Sequence, residues 1–219
     1  RMITERYGIP AYLQNDANAC ALAEWKFGAG RGVNNMIFLT FGTGMGAGLI
    51  LDGRLYAGTN DMAGEVGHIR LAPSGPVGYG KAGSFEGFCS GGGIEKLAKQ
   101  CIEQHRTAGE TSVLFGMPEV NAKTIAEAAR LGDARASSIF SLCGNYLGRG
   151  LAVLVDILNP ERIVIGSIFE RAGDLLHESM QAALNAEALE RSMACCEVVP
   201  AALGDRIGDY AALGVAMAG

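Results

Sequence analysis

From residue 17 to residue 27 the alanines and leucines recur at helical spacing, and the run is entered through the polar Gln14-Asn15-Asp16. The pattern predicts a helix over Ala17 to Phe27 with Asp16 at its N-terminus. Met36 to Phe41 is a short apolar run and reads as a strand. It leads through the glycine turn Gly42 to Gly48 into a second strand, Leu49 to Leu51, which closes at the hairpin-type Asp52-Gly53. Residues 57 to 92 lose periodicity and are predicted as long loops with short strands around Glu65 to Leu71, and loops of that length usually carry function.

Helical spacing resumes over Gly93 to His105 and over Thr124 to Arg130, the latter opened by a Thr124-x-x-Glu127 capping box. It returns over Ala136 to Leu158, stopped by Asn159-Pro160. Arg162 to Ile165 reads as a buried strand ending in Gly166-Ser167. A helix near Ala172 to Asn185, a strand around Cys196 to Val199, a turn over Gly204 to Gly208 and a small-residue helix from Tyr210 complete the chain. Alternating strands and helices after residue 150 predict an α/β fold with a mixed sheet, and no repeat or linker divides it.

Composition adds an anomaly. Of 219 residues, 32 are glycine, about twice the ~7% of average proteins, without collagen-like period or much proline. Such glycine marks tight turns and close backbone approach. With 49% hydrophobic and 19% charged residues the chain can bury a sizeable core. A net charge of −5 without a basic run argues against a nucleic-acid or anionic-membrane surface. The apolar run Leu151 to Leu158 is broken by Asp156, so no membrane span is expected, and six cysteines without a C-x-x-C pair suggest reduced thiols in a cytoplasm.

Gly42-Thr43-Gly44-Met45-Gly46-Ala47-Gly48, bracketed by Thr40, can aim several backbone N–H groups and threonine hydroxyls at one anion. Alone it suits either a phosphate cradle or a hairpin that needs positive φ. It lacks the Gly-Lys-Ser/Thr of a P-loop, and the formal G-x-G-x-x-G at Gly78, Gly80 and Gly83 follows no strand and opens no helix. Asn15-Asp16 alone suits a helix N-cap. His68 alone suits a hydrogen-bonded structural residue. Asn15, Asp16, Glu65, His68 and Glu86, spread over glycine-rich loops, nevertheless supply the acceptors that a polyhydroxylated ligand needs.

Four words, in this order, resemble the ROK family of sugar kinases, sugar-responsive repressors and related open reading frames: Gln14-Asn15-Asp16-Ala17-Asn18-Ala19, Leu39 to Gly48, Ala63-Gly64-Glu65-Val66-Gly67-His68, and Asn159-Pro160-Glu161-Arg162-Ile163-Val164-Ile165-Gly166. The resemblance implies a ribonuclease-H-like, actin-like fold and ATP-dependent phosphorylation of a hexose or N-acetylhexosamine, with Mg2+ beside ATP. By the same resemblance Asp16 is the catalytic base, and Asn15, Glu65, His68 and Glu86 hold the sugar. Thr40, Gly42, Thr43, Gly44 and Gly46 hold the ATP phosphates, with Gly92 and Gly166 near the adenosine. A homodimer is also implied. Two alternatives stay open: the sugar-sensing effector domain of a ROK-type repressor, and a non-catalytic sugar-binding protein.

The sequence departs from the family pattern twice. Where the family carries a zinc word of the form C-x-C-G-x-x-G-C-x-E, Val77, Tyr79 and Ser84 replace the three cysteines and only Glu86 remains. No zinc is expected, and packing of Tyr79 and Phe85 is expected to hold the loop instead. The family's smaller N-terminal lobe carries an Asp-x-Gly-x-Thr phosphate word that this sequence does not contain before Gln14. Residues 1 to 219 are therefore expected to form the larger C-terminal lobe, with much of the Mg2+ ligation and half of the ATP cleft outside it, and to be poorly active alone.

Overall fold

The strand Met36–Phe41 lies at the centre of a sheet and is covered on both faces, which is why it reads as an almost unbroken apolar run. In the computed structural model, which describes residues 2–106 and 111–218, the elements in chain order are α1 (Met2–Tyr7), α2 (Asp16–Phe27), β1 (Met36–Phe41), β2 (Met45–Leu51), β3 (Arg54–Tyr56), β4 (Val77–Gly78), β5 (Lys81–Ala82), α3 (Phe85–Phe88), α4 (Gly91–Arg106), α5 (Ala122–Arg130), α6 (Ala134–Leu158), β6 (Arg162–Ile165), α7 (Ile168–Glu187), α8 (Glu190–Met193), β7 (Glu197–Pro200) and α9 (Ile207–Ala218).

The main sheet runs β3-β2-β1-β6-β7: β1 to β3 form an antiparallel meander, and β6 and β7 extend it in parallel. This mixed sheet with helices on both faces is the ribonuclease-H-like, actin-like arrangement. Strand alternation splits the core. Ile37, Leu39 and Phe41 point to the side covered by α4 to α7, whereas Met36 and Phe38 point to the side covered by α2 and α9. Helix α6 is long and apolar enough to cross a membrane, but most of its apolar residues from Ala136 to Val155 are buried inside the molecule.

Two contacts fix α2 on the sheet. A Cβ at Gly48 would lie 2.5 Å from the Ala17 carbonyl oxygen and 2.5 Å from the Ala21 Cβ, so the helix rests directly on the β2 backbone. At the helix's other end Glu24 is fully buried, and its carboxylate accepts hydrogen bonds from Ala29 N at 2.7 Å, Ala202 N at 3.0 Å and Leu203 N at 2.9 Å. Three amide donors satisfy a buried carboxylate that would otherwise be costly. They also tie α2 to the segment that leads from β7 into α9.

Several boundaries differ from the sequence expectations for local reasons. The glycine turn is only Gly42-Thr43-Gly44, because Met45 to Gly48 pair with β1 and belong to β2. Residues 66–68 form a 3-10 turn rather than a strand, with His68 N and Ile69 N bonded to the carbonyls of Glu65 and Val66. The cap of α5 is Asn121, whose side chain accepts from Lys123 N and Thr124 N while Thr124 Oγ1 accepts from Asn121 N, so Thr124 closes the box instead of opening it. Helix α7 starts at Ile168, four residues early, because the Glu170 carboxylate reaches back to Ser167 N, and it kinks at Ala172. Helix α9 begins at Ile207 rather than Tyr210, and α1 was not anticipated.

Replacing Gly48 with alanine is expected to cost ~1–3 kcal/mol, because the new methyl meets backbone that cannot withdraw. Glu24→Gln should cost a similar ~1–3 kcal/mol, since an amide side chain cannot accept all three donors. Urea unfolding of both variants checks this, and an unchanged midpoint in either would refute the corresponding contact.

Candidate functional site

Asn15 is the N-cap of α2: its Oδ1 accepts from Ala17 N at 2.9 Å and Asn18 N at 3.2 Å. That frees Asp16, the first helical residue, to face a cavity of about 360 Å³, with only Ala17 N among the described residues, at 2.8 Å, bonded to its Oδ1. The helix dipole favours a carboxylate in this position. The same cavity is lined by Asn15, Thr40, Gly42, Thr43, Gly44, Gly46, Glu65, Tyr79 and Glu86. Five loops and strand ends thus converge on one carboxylate-rich space.

The Gly42-Thr43-Gly44 tip separates this cavity from a second, of about 730 Å³, because Gly42 and Thr43 line both. Among the described residues the amides of Thr43 and Gly44 have no protein acceptor, whereas Gly42 N bonds Gly44 O and Met45 N bonds Glu86 Oε2. The tip therefore keeps two donors available to an anion. Thr40 differs: its hydroxyl accepts from Gly46 N at 2.8 Å and donates to Gly46 O, so it stitches β1 to β2 while Thr43 keeps the free hydroxyl.

The larger cavity is lined by Gly91 and Gly92 at the start of α4 and by Ser167 and Ile168 at the start of α7. Two helix N-termini facing one space, beside the free amides of the tip, make an electropositive setting for phosphate. The far wall carries Asn121, Lys123, Glu127 and Arg130 of the α5 region and Arg171 of α7. Arg130 forks onto Asp174 at 2.9 Å and 2.6 Å and donates to Arg171 O at 2.7 Å, bracing α5 against α7. That ion pair holds the Asp174 carboxyl below its ordinary value and raises Arg130. Gly166 lies behind this wall, with its N bonded to Leu39 O, and Ser167 rather than Gly166 meets the space.

Glu86 organises the smaller cavity. Its Oε2 accepts from Met45 N at 3.2 Å and its Oε1 from Tyr79 N at 3.1 Å, which joins the glycine tip to the β4–β5 hairpin. Gly44 makes room for it, since a Cβ there would sit 2.9 Å from Glu86 Oε2. Tyr79 has φ +51°, a left-handed conformation that costs roughly 1–2 kcal/mol outside glycine. The Glu65 carboxylate near its hydroxyl, burial and the further charges of Glu86 and Asp16 raise its pKa, so it remains a donor. Cys20, one turn along α2 from Asp16, is no nucleophile: burial and the Asp16 and Glu24 charges push its thiol up to about 11.

His68 is brought near the site but does not line either cavity. It is exposed, its ring meets Tyr79 edge-on at 5.9 Å, and Lys81 Nζ lies 2.9 Å from its Nδ1. The residues present do not fit zinc. Val77 and Tyr79 are exposed, Ser84 is the buried N-cap of α3, and among the described residues no three His, Cys, Asp or Glu side chains converge to hold a metal ion. Of the two aromatic residues expected to secure this loop, Phe85 is fully buried in the main core, and Tyr79 is held by polar contacts. Sequence reasoning missed Tyr79 as a lining residue and the whole α5 wall. Lys123, Arg130 and Arg171 are ordinary helix-surface residues in sequence, and only tertiary packing gathers them.

The ROK family profile matches residues 1–217. The glucokinase of Halalkalibacterium halodurans is 37% identical over 208 residues, which is 94% of this chain and 63% of that protein. The chain thus spans less than two thirds of that relative's length. A ROK family glucokinase from Streptomyces griseus, solved in complex with glucose and AMPPNP, superposes with a TM-score of 0.79 at 31% identity, covering 96% of this chain and 69% of that one. A ROK family transcriptional regulator, a homologue of E. coli MLC, superposes with a TM-score of 0.88 at 30% identity, covering 99% of this chain and 54% of that one. The family match over nearly the whole sequence and the identity to the glucokinase agree with the fold, and the chain belongs to the ROK family.

Proposed function

We propose that this chain is the larger, C-terminal lobe of a ROK sugar kinase that transfers the γ-phosphoryl group of ATP to a hydroxyl of a hexose or N-acetylhexosamine. The observation that carries this reading is the tip Gly42-Thr43-Gly44, which borders both a carboxylate-lined cavity and a cavity faced by two helix N-termini. Phosphoryl transfer needs such an arrangement: acceptor on one side, nucleotide on the other, and donors for the moving phosphoryl group between them. The glucose and AMPPNP bound by the Streptomyces griseus glucokinase are of the matching classes.

On this reading the sugar occupies the smaller cavity. Its reacting hydroxyl is hydrogen-bonded to Asp16, which takes the proton as the oxygen attacks phosphorus. Asn15, Glu65, Glu86 and Tyr79 orient the ring, and His68 supports Tyr79 from behind. The Thr43 and Gly44 amides and the Thr43 hydroxyl take up charge that builds on the phosphoryl oxygens. ATP arrives as its Mg2+ complex in the larger cavity, its phosphates toward Gly91 and Gly92, and the smaller lobe closes over it. A cytoplasmic homodimer accords with the family.

A second reading, the effector domain of a sugar-responsive repressor, is supported by the likeness to the MLC homologue. The distinguishing measurement is ATP-dependent transfer by the full protein to a panel of hexoses and N-acetylhexosamines. A kinase shows transfer to at least one sugar, and Asp16→Asn lowers kcat by ~10²–10⁴-fold with sugar KM changed only a few-fold. Sugar binding without transfer to any member of the panel rejects the kinase in favour of a sugar sensor or repressor. Gly44→Ala, which sets a methyl against the Glu86 carboxylate, is expected to raise the KM for sugar and ATP together, because it disturbs the element common to both cavities. A change in one constant alone would contradict the shared role.

A further inference from the structure

The loop that lacks zinc ligands is nevertheless held by a cation. Lys81, on β5, sends its ammonium to both acceptors that His68 offers: the ring Nδ1 at 2.9 Å and the backbone oxygen at 2.7 Å. An ammonium has donors only, so the His68 ring accepts at Nδ1 and carries its proton on Nε2. This side chain ties the β4–β5 hairpin to the 3-10 turn that follows Glu65, and Arg70, just beyond that turn, adds a bond from its Nη1 to Ala82 O at 3.0 Å.

The hairpin between these strands turns through Tyr79 and Gly80, both at positive φ (+51° and +67°), the geometry of a tight two-residue turn. Asparagine or glycine suits the first of these positions, and tyrosine does not. A tyrosine held there by Glu86 on its amide and by the His68 ring at its edge, with the Glu65 carboxylate near its hydroxyl, is over-determined, and it lines the smaller cavity. Conformations of this sort persist where the surroundings impose them, and they concentrate at binding sites. Lys96, which donates to Val77 O, holds the same hairpin from α4.

We propose that Lys81 does in this chain what a structural metal would do at the same loop: it is the cation that fixes His68 and the hairpin, and thereby positions Tyr79 as a specificity-determining contact to the sugar. Lys81 is a positioning residue and Tyr79 the contact it serves. The inference rests on the reading of the smaller cavity as the sugar site.

The test compares the full protein with its Lys81→Met, Lys81→Arg and Tyr79→Phe variants in three measurements. Metal analysis of the purified protein should find far less than one zinc per chain, and a strong chelator should leave the melting temperature unchanged. Amide hydrogen exchange over residues 77–86 should speed up about tenfold in Lys81→Met, as expected on losing a charge-assisted tie, and recover in Lys81→Arg. Kinetics across the sugar panel should show Lys81→Met raising sugar KM about tenfold with kcat within about twofold, and Tyr79→Phe changing the ranking of sugars by kcat/KM.

Stoichiometric zinc, or unchanged exchange in Lys81→Met, overturns the metal-replacing role. An unchanged sugar ranking in Tyr79→Phe overturns the specificity role. If the unaltered protein takes no sugar at all, the reading of the cavity fails, while the zinc and exchange measurements still decide whether Lys81 replaces the metal.

Discussion

Helix α2 can bring its first turn to the tip of the β1–β2 hairpin only because β2 offers no side chain at position 48. The Ala17 carbonyl and the Ala21 methyl occupy the space where a Cβ would be. A bulkier β2 would lift the helix off the sheet and carry Asp16 away from Thr43 and Gly44. The Glu24 carboxylate sets the other end of the helix by collecting three backbone amides from two segments. Close contact at one end and a satisfied buried charge at the other leave α2 with one position, and the cavity inherits its geometry from that.

The same economy appears in Glu86. It is half-buried, and both its oxygens already accept backbone amides, one from the glycine tip and one from the hairpin. Each carboxylate oxygen has a second lone pair, so the residue can bind a ligand hydroxyl and organise the loops at once. Three of the glycines belong to this arrangement. Gly44 in the tip, Gly67 in the 3-10 turn and Gly78 in β4 come from three separate segments, and a Cβ on any of them would lie within 3.2 Å of the Glu86 side chain. Gly44 leaves room for the carboxylate itself, and Gly67 and Gly78 leave room for the stem that carries it.

This distribution of roles explains what the sequence could disclose. The β1 run, the α2 stripe and the Asn159-Pro160 stop were legible because burial imposes a period or a breaker on contiguous residues. Asp16 was legible for the same reason, since it sits where a helix must begin. The extent of the glycine turn was not, because Gly46 and Gly48 lie within a strand and Gly48 serves helix packing there, and glycine looks the same in a turn and beneath a helix. The cap at Asn121 was missed because Thr124 can open or close a capping box, and the choice depends on which residue first turns extended. Lys81 was invisible as a structural cation, since nothing local to β5 announces that His68 lies opposite.

A kinase and a sugar sensor can share this scaffold because they use the same contacts differently. Interactions that bind sugar equally before and during transfer lower KM without raising kcat, and a sensor needs only those. On the proposed reading they reside in Asn15, Glu65, Glu86 and Tyr79, on loops braced from within this lobe. Transfer needs in addition groups whose interactions strengthen as the phosphoryl group moves, and Asp16 with the free amides of the tip would be the local ones. Loss of the second set leaves the first intact, because the bonds that hold the loops run through Glu86 and Lys81 and not through Asp16, whose one bond within the described residues is to the neighbouring Ala17 N. The dependence therefore runs one way: the fold could give up phosphoryl transfer and keep recognition, but it could not do the reverse.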